Sequence, residues 1–312
     1  VVCDITRREF LKWAAAMSGY AALPGRQDWP WLAADEVPFV VVDSHEDLGW
    51  IMLNYGRDLS LGALETRAHE LETGSQVRWL TGSATIGLPD WLRGRVAVVG
   101  ATVFVMKQAY AYDGDTVTYT DAEEAYTWGM AQMDAYEAFA AANPAVRLIN
   151  SAADLDAVLA TWADDADPDG RQVGLLRQME GADPIREPAE LGEWFERGLR
   201  GLSLSWKRTR YGGGTSEPGP LTDLGRELLD EMAALGMLLD LSHAAEQTYY
   251  DAIDHFDGVM YASHSNPRAF CNTDRCLSDE MIQLLAERDG VISVVLYNGF
   301  LNGEWRPNED SR

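Results

Sequence analysis

The 312-residue chain is 46% hydrophobic, has a pI near 4.4 and carries a formal net charge of -25. A surface that acidic repels polyphosphates and anionic bilayers, so nucleic acid and anionic membrane are excluded as main partners. The length suffices for two ordinary domains or one α/β barrel, and no Pro/Gly/Ser-rich linker divides it.

In the first segment, Arg7-Arg8 is followed by Phe10-Leu11-Lys12, a weakly apolar stretch from Trp13 to Leu23, and Pro24-Gly25. This is the pattern of a twin-arginine export signal, with an amphipathic surface helix as the alternative. Residues 1–35 are therefore expected to be signal and linker, and residues 36–312 the folded unit, exported to the periplasm or the exterior. The apolar stretch is shorter than the roughly 20 residues that span a bilayer, and no other segment is long enough. Of the three cysteines, Cys3, Cys271 and Cys276, an odd count argues against a disulfide framework. Cys271 and Cys276 pair only if their backbones approach closely.

From Val37 onward, short apolar runs alternate with helical patterns. Seven strands are expected: Phe39–His45, Ala97–Met106, Gln172–Glu180, Gly201–Trp206, Leu238–Leu241, Val259–Ser263 and Gly290–Tyr297. Helices are expected over Asp121–Ala142, from Ser151, and over Leu221–Leu235, Ala244–His255 and Ser278–Arg288. Near-continuous apolar strands joined by helices predict a parallel sheet covered on its faces. A (β/α)8 barrel short of its last strand-helix unit fits best. An open doubly wound sheet is the runner-up, but no Gly-rich phosphate turn follows the first strand.

Polar residues of one kind collect at the ends of these strands. His45 and Asp47 flank Glu46, and alternate strand residues project to the same side, so the outer two can meet one ion while Glu46 points away. Glu180 ends the third strand before Gly181, and two apolar runs end in Ser-His, at His243 and His264. In a parallel barrel all five fall on the rim where active sites assemble. Three imidazoles and two carboxylates suit two zinc ions or other divalent metals. With Glu180 shared, each ion keeps an open position for a water that the metals acidify toward a nucleophile. His69 and His255 lie in charged helical surroundings and read as surface residues.

These motifs resemble the membrane (renal) dipeptidase family of zinc peptidases. The resemblance rests on Asp-Ser-His45-Glu-Asp47, Met-Glu180-Gly-Ala-Asp, Leu-Thr-Asp-Leu-Gly-Arg-Glu-Leu at 221–228, Asp-Leu-Ser-His243, and Ser-His264-Ser-Asn-Pro-Arg-Ala-Phe-Cys followed by Arg275. It extends through residues 285–300 and implies a di-zinc (β/α)8 barrel. By that likeness His45 and Asp47 hold one zinc, His243 and His264 the other, and Glu180 bridges. Arg275 would bind the C-terminal carboxylate of a dipeptide, including one with a D-configured C-terminal residue.

Two departures stand out. Trp206, followed by Lys207-Arg208, occupies the place of the family histidine that polarises the scissile carbonyl, so Trp206 either packs the barrel mouth or leaves that task to Lys207, Arg208 or Arg210. The aspartate expected as proton shuttle has no counterpart up to Arg312, and Glu309 and Asp310 lie in a polar tail, so the chain as it stands is expected to be a poor catalyst. Rival readings are an amidohydrolase acting on a cyclic amide or lactone and a catalytically silent metal-binding barrel. The partner expected is a small dipeptide, with no nucleic acid and no stable membrane span; a homodimer is left open.

Overall fold

Strands buried on both faces need helices above and below, and the apolar runs meet that demand in the computed structural model. It describes residues 39–163, 166–302 and 304, and the compact unit starts at Val40. The twin-arginine segment, Cys3, Glu309 and Asp310 lie outside the described residues.

Among the described residues ten strands are present: β1 Val41–Glu46, β2 Val96–Phe104, β3 Met106–Lys107, β4 Thr118–Tyr119, β5 Val146–Leu148, β6 Val173–Glu180, β7 Gly201–Ser203, β8 Leu238–Asp240, β9 Met260–Ala262 and β10 Val291–Ile292. The main sheet is parallel throughout, in the order β1-β2-β6-β7-β8-β9-β10, while β5 pairs with the first half of β6 and β3 pairs with β4 apart from it. Register keeps the strand ends level. Phe104 lies opposite Glu180, Glu180 opposite Ser203, Ser203 opposite Asp240, and Asp240 opposite Tyr261. Residues that end different strands thus form one row, which is what places the site.

The core packs Val99, Ala101, Val103, Leu175, Met179, Leu202 and Leu239 of the sheet against the covering helices. Each fully buried aliphatic side chain of this kind contributes about 1.5–3 kcal/mol over leaving it exposed. The helix Ala122–Ala142 starts where the Asp121 carboxylate accepts from the amides of Glu123 and Glu124, and it buries Ala125, Gly129, Gln132, Met133, Tyr136 and Phe139. Intervals of three and four put these residues on one face. Gln132 then does backbone work for the sheet: its Oε1 accepts from Phe104 N at 3.0 Å and its Nε2 donates to Phe104 O at 2.6 Å, where β2 runs out. The helix Asp223–Leu235 is capped by Thr222 and stopped by Gly236 at φ +67°, a left-handed turn that glycine adopts freely.

The sheet curls without closing. β1 and β10 are its two ends, and a cleft of about 490 Å³ between them is lined by Val41–His45, Ser263, His264 and Ser293–Leu296. The expected seventh strand is shorter than its apolar run: only Val291 and Ile292 pair with β9, and a four-residue helix follows at Asn298–Leu301. Asn266 replaces the missing ladder, its side chain donating to Val295 O and accepting from Val295 N, both at 2.9 Å. Val42, Val294 and Leu296 remain exposed beside the cleft. Among the described residues no helix is long and apolar enough to cross a membrane.

Candidate metal centre

The level strand ends deliver the five expected residues to one place. His45 lies on β1 and Asp47 just past it, Glu180 is the last residue of β6, His243 follows β8 by three residues and His264 follows β9 by two. Glu180 Oε1 is the focus: the Nε2 atoms of His243 and His264 each lie 3.2 Å from it and that of His45 3.8 Å. Asp47 Oδ1 stands 3.5 Å from His45 Nε2. His45 stacks on His264 with ring centroids 3.7 Å apart.

The outward-facing nitrogens are tied down. Thr215 Oγ1 is 2.8 Å from His243 Nδ1, Ser263 Oγ is 2.7 Å from His264 Nδ1, and Ser263 Oγ and Thr102 Oγ1 are 3.3 and 3.4 Å from His45 Nδ1. At His243 and His264 a hydroxyl that accepts from Nδ1–H leaves a lone pair on Nε2, aimed inward, as metal-ligating histidines are held, whereas the group nearest His45 Nδ1 is the Gln178 amide nitrogen at 3.2 Å. Burial first, then neighbouring Arg275 and imidazole charge, keeps His243 well below its ordinary pKa; burial and His45 do the same for His264. Burial also lowers His45, but Glu180 and Asp47 outweigh it and bring the group to about 9. Burial raises Glu180, against the opposing pull of His45 and Arg275.

The donor set fits divalent cations. Glu180 Oε1 and Asp47 Oδ1 are buried and accept no hydrogen bond within the protein. Such orphaned acceptors cost free energy unless something cationic meets them. His243 and His264 bring their Nε2 atoms to 3.1 Å. Two nitrogens on one tetrahedral zinc, at about 2.0–2.1 Å each, stand roughly 3.3 Å apart. His45, Glu180 and His264 also form a triplet whose ligand atoms all lie within 4.8 Å of one another.

Glu46 points away, as expected, and its Oε1 accepts from Trp91 Nε1 at 3.0 Å; burial, then Asp43, raises its pKa to about 9. His69 is exposed and His255 pairs with Asp230 at 2.9 Å on the outer helices. Cys271 and Cys276 are buried free thiols.

Arg275 comes in beside the cluster. It is buried, donates from Nη2 to His264 O at 2.6 Å and from Nη1 to Ser265 Oγ at 3.2 Å, and makes no ion pair among the described residues. Its neighbour Asp274 accepts from Ser216 N at 2.5 Å. Trp206 stands next to His243, its ring 6.3 Å from that imidazole, 5.3 Å from Phe104 and 6.0 Å from Tyr110.

One residue of the site escaped sequence reasoning. Asp240, the last residue of β8, is buried; its Oδ1 accepts from the amides of Ser242 and Ser263 and its Oδ2 from Ser263 Oγ at 2.5 Å. It thereby fixes both Ser-His turns. A carboxylate inside the apolar run Leu-Leu-Asp-Leu was the available signal.

A parallel barrel-type sheet with a histidine and carboxylate cluster on its strand-end rim defines a class, the barrel proteins that carry their site at the C-terminal ends of the strands. Comparison with known proteins narrows it: residues 36–311 match the family described as membrane dipeptidase (Peptidase family M19), and the chain belongs to that family of metallopeptidases. It is similar to an uncharacterised protein in the PQQ-III 3' region of Acinetobacter calcoaceticus, 28% identical over 45% of this chain and 48% of that one. Dipeptidase 3 of Mus musculus is 26% identical over 58% of this chain and 36% of its own length. A metallopeptidase from Rhodobacter sphaeroides, solved with a phosphinate mimic of the dipeptide L-Ala-D-Ala, superposes with a TM-score of 0.66 at 24% identity, covering 85% of this chain and 76% of that one. The chain spans about half the length of the first curated relatives it matches, or less.

Proposed function

We propose that this protein is a divalent-metal dipeptidase, with His45 and Asp47 holding one ion, His243 and His264 a second, and Glu180 shared between them. The observation that carries this reading is the convergence of three imidazole Nε2 atoms on one buried carboxylate oxygen that accepts no hydrogen bond. Zinc suits the nitrogen and oxygen donors, and when bound, the two ions supply Lewis acidity toward a peptide carbonyl and lower the pKa of water.

The protein's own groups do the positioning. Arg275, held by the His264 carbonyl and Ser265, presents a planar guanidinium beside the cluster that suits the substrate's terminal carboxylate. Trp206 stands beside His243 and limits what fits over it. Asp240 keeps both Ser-His turns in register, so that the imidazoles meet without reorganisation. A D-configured C-terminal residue in the substrate is part of the proposal, supported by the L-Ala-D-Ala mimic bound to the Rhodobacter sphaeroides metallopeptidase.

The test is elemental analysis of the purified protein together with dipeptide hydrolysis. Two ions per chain are expected, falling by at least one in His243→Ala and in Glu180→Gln, because an open site has no spare ligand. Full occupancy in both variants would overturn the ligand assignment, and a metal-loaded protein that cleaves no dipeptide would overturn the activity.

A further inference from the structure

The sequence contains only three lysines, Lys12, Lys107 and Lys207, against 22 arginines. The two within the described residues both line the same small cavity, together with Glu180, Trp206, Tyr119 and Arg208. In a chain with twice as many acidic as basic residues, this clustering of cations at the mouth of the centre needs an explanation.

Most of these cations are already engaged. Lys107 Nζ donates to Arg208 O at 2.5 Å and lies 3.4 Å from Asp183. Arg210 is fastened to the carbonyls of Asp183, Ile185 and Arg186. Arg208 is exposed, with its guanidinium against Gly219. Lys207 differs: among the described residues its ammonium has no hydrogen bond and no ion pair, and it rests 5.6 Å from the ring centres of Tyr110 and Trp206. Tyr110 is itself fixed by Glu217, so the platform under the ammonium is rigid.

That ammonium is also near the centre: the Trp206 ring it rests on lies 6.3 Å from His243, and Lys207 and Glu180 line the same cavity. The cluster is therefore flanked by two cations without a carboxylate partner, Arg275 on the His264 side and Lys207 on the Trp206 side. One α-carboxylate occupies one of them. A second anionic group on the substrate would satisfy the other. Long-range attraction cannot be the purpose, since a net charge of -25 repels anions and exposed charges are screened beyond about 8 Å at physiological salt, so discrimination has to be local.

Resting on the dipeptidase reading, we propose that Lys207 is a specificity determinant for a second carboxylate, and that the preferred substrates are dipeptides carrying Asp or Glu in one of their two positions. A rigid aromatic platform holds the ammonium where a side-chain carboxylate reaches it by a charge-assisted hydrogen bond. An amide of the same shape forms a weaker bond, and the difference is the selectivity.

The experiment uses the metal-loaded protein with Ala-Glu and Glu-Ala, each in L,L and L,D form and each paired with its glutamine isostere. The two orders reveal which position carries the acid. Wild type should favour the acid over the amide by about tenfold or more in kcat/KM for at least one order. Lys207→Gln should bring that ratio close to one, and Lys207→Arg should restore most of it. A wild-type ratio near one, or a ratio that survives Lys207→Gln, overturns the proposal. Equal loss of kcat on acid and amide would show that the ammonium acts on the reacting carbonyl instead, and it overturns the proposal too. Calorimetric binding of the same peptides separates this inference from the reading it rests on. Acid-selective binding that needs Lys207, without hydrolysis of any dipeptide, removes the dipeptidase activity and keeps the anion subsite; absence of both removes both.

Discussion

His243 holds its backbone at φ +65°, in the left-handed region that non-glycine residues avoid. The turn after β8 is held there by Ala244 N bonding to Leu241 O and by the Asp240 carboxylate. In that turn the imidazole faces Glu180, its Nε2 3.2 Å from the carboxylate, so the strain belongs to the site. Glycine relieves it and alanine does not. In metal-free protein, His243→Gly should be more stable than His243→Ala by about 1 kcal/mol in denaturant unfolding, reversing the usual order of the two residues. The ordinary order, with alanine ahead, would show that the turn is unstrained. Trp206 poses a second question at this scale, since an indole donates one hydrogen bond but cannot carry positive charge. Its ring packs against Phe104 and Tyr110, so it fills the mouth. Trp206→His should accordingly leave turnover on a dipeptide unchanged or lower it, through lost packing; a gain of about tenfold or more would instead identify a missing carbonyl partner.

Among the elements, the strands that carry the site were the most legible and the joints between them the least. β2 is a long apolar run and β6 opens on one, Val173–Leu176, before its buried Arg177 and Gln178, so their positions and the polar residues ending them are open to reading. β5 has three residues, Val146-Arg-Leu, too few for any period to emerge. At Gly290–Tyr297 the apolar run outlasts the pairing, because a run records what is apolar and not whether a neighbour lies alongside. Asp240 escaped notice for the same reason, two of its partners being the amide and hydroxyl of Ser263, 23 residues further on. Its importance is testable. Asp240→Ala strands two buried amides and a hydroxyl and should cost about 2–4 kcal/mol, read as a lower denaturant midpoint, and should weaken metal retention as both Ser-His turns loosen. A change in stability with metal content untouched would separate Asp240 from the centre.

At the scale of the whole molecule, the contact between Ser44 and Ser263 matters most: Ser44 Oγ donates to the Ser263 carbonyl at 2.6 Å across 219 residues of chain. It joins the first strand to the sixth of the main path, and the ligands ride on the same strands. His45 and His264 therefore meet only when a loop of about that length is closed. Order of assembly follows from that separation, because contacts distant in sequence carry the largest loop-closure entropy and form late. A partly folded chain has half-sites only, and any tight ion capture reports that the curl is complete. Refolding followed by tryptophan fluorescence and by a colorimetric zinc chelator should show the chelator losing metal to the protein only in the slowest phase. The centre would then act as a checkpoint on folding as well as an instrument of hydrolysis.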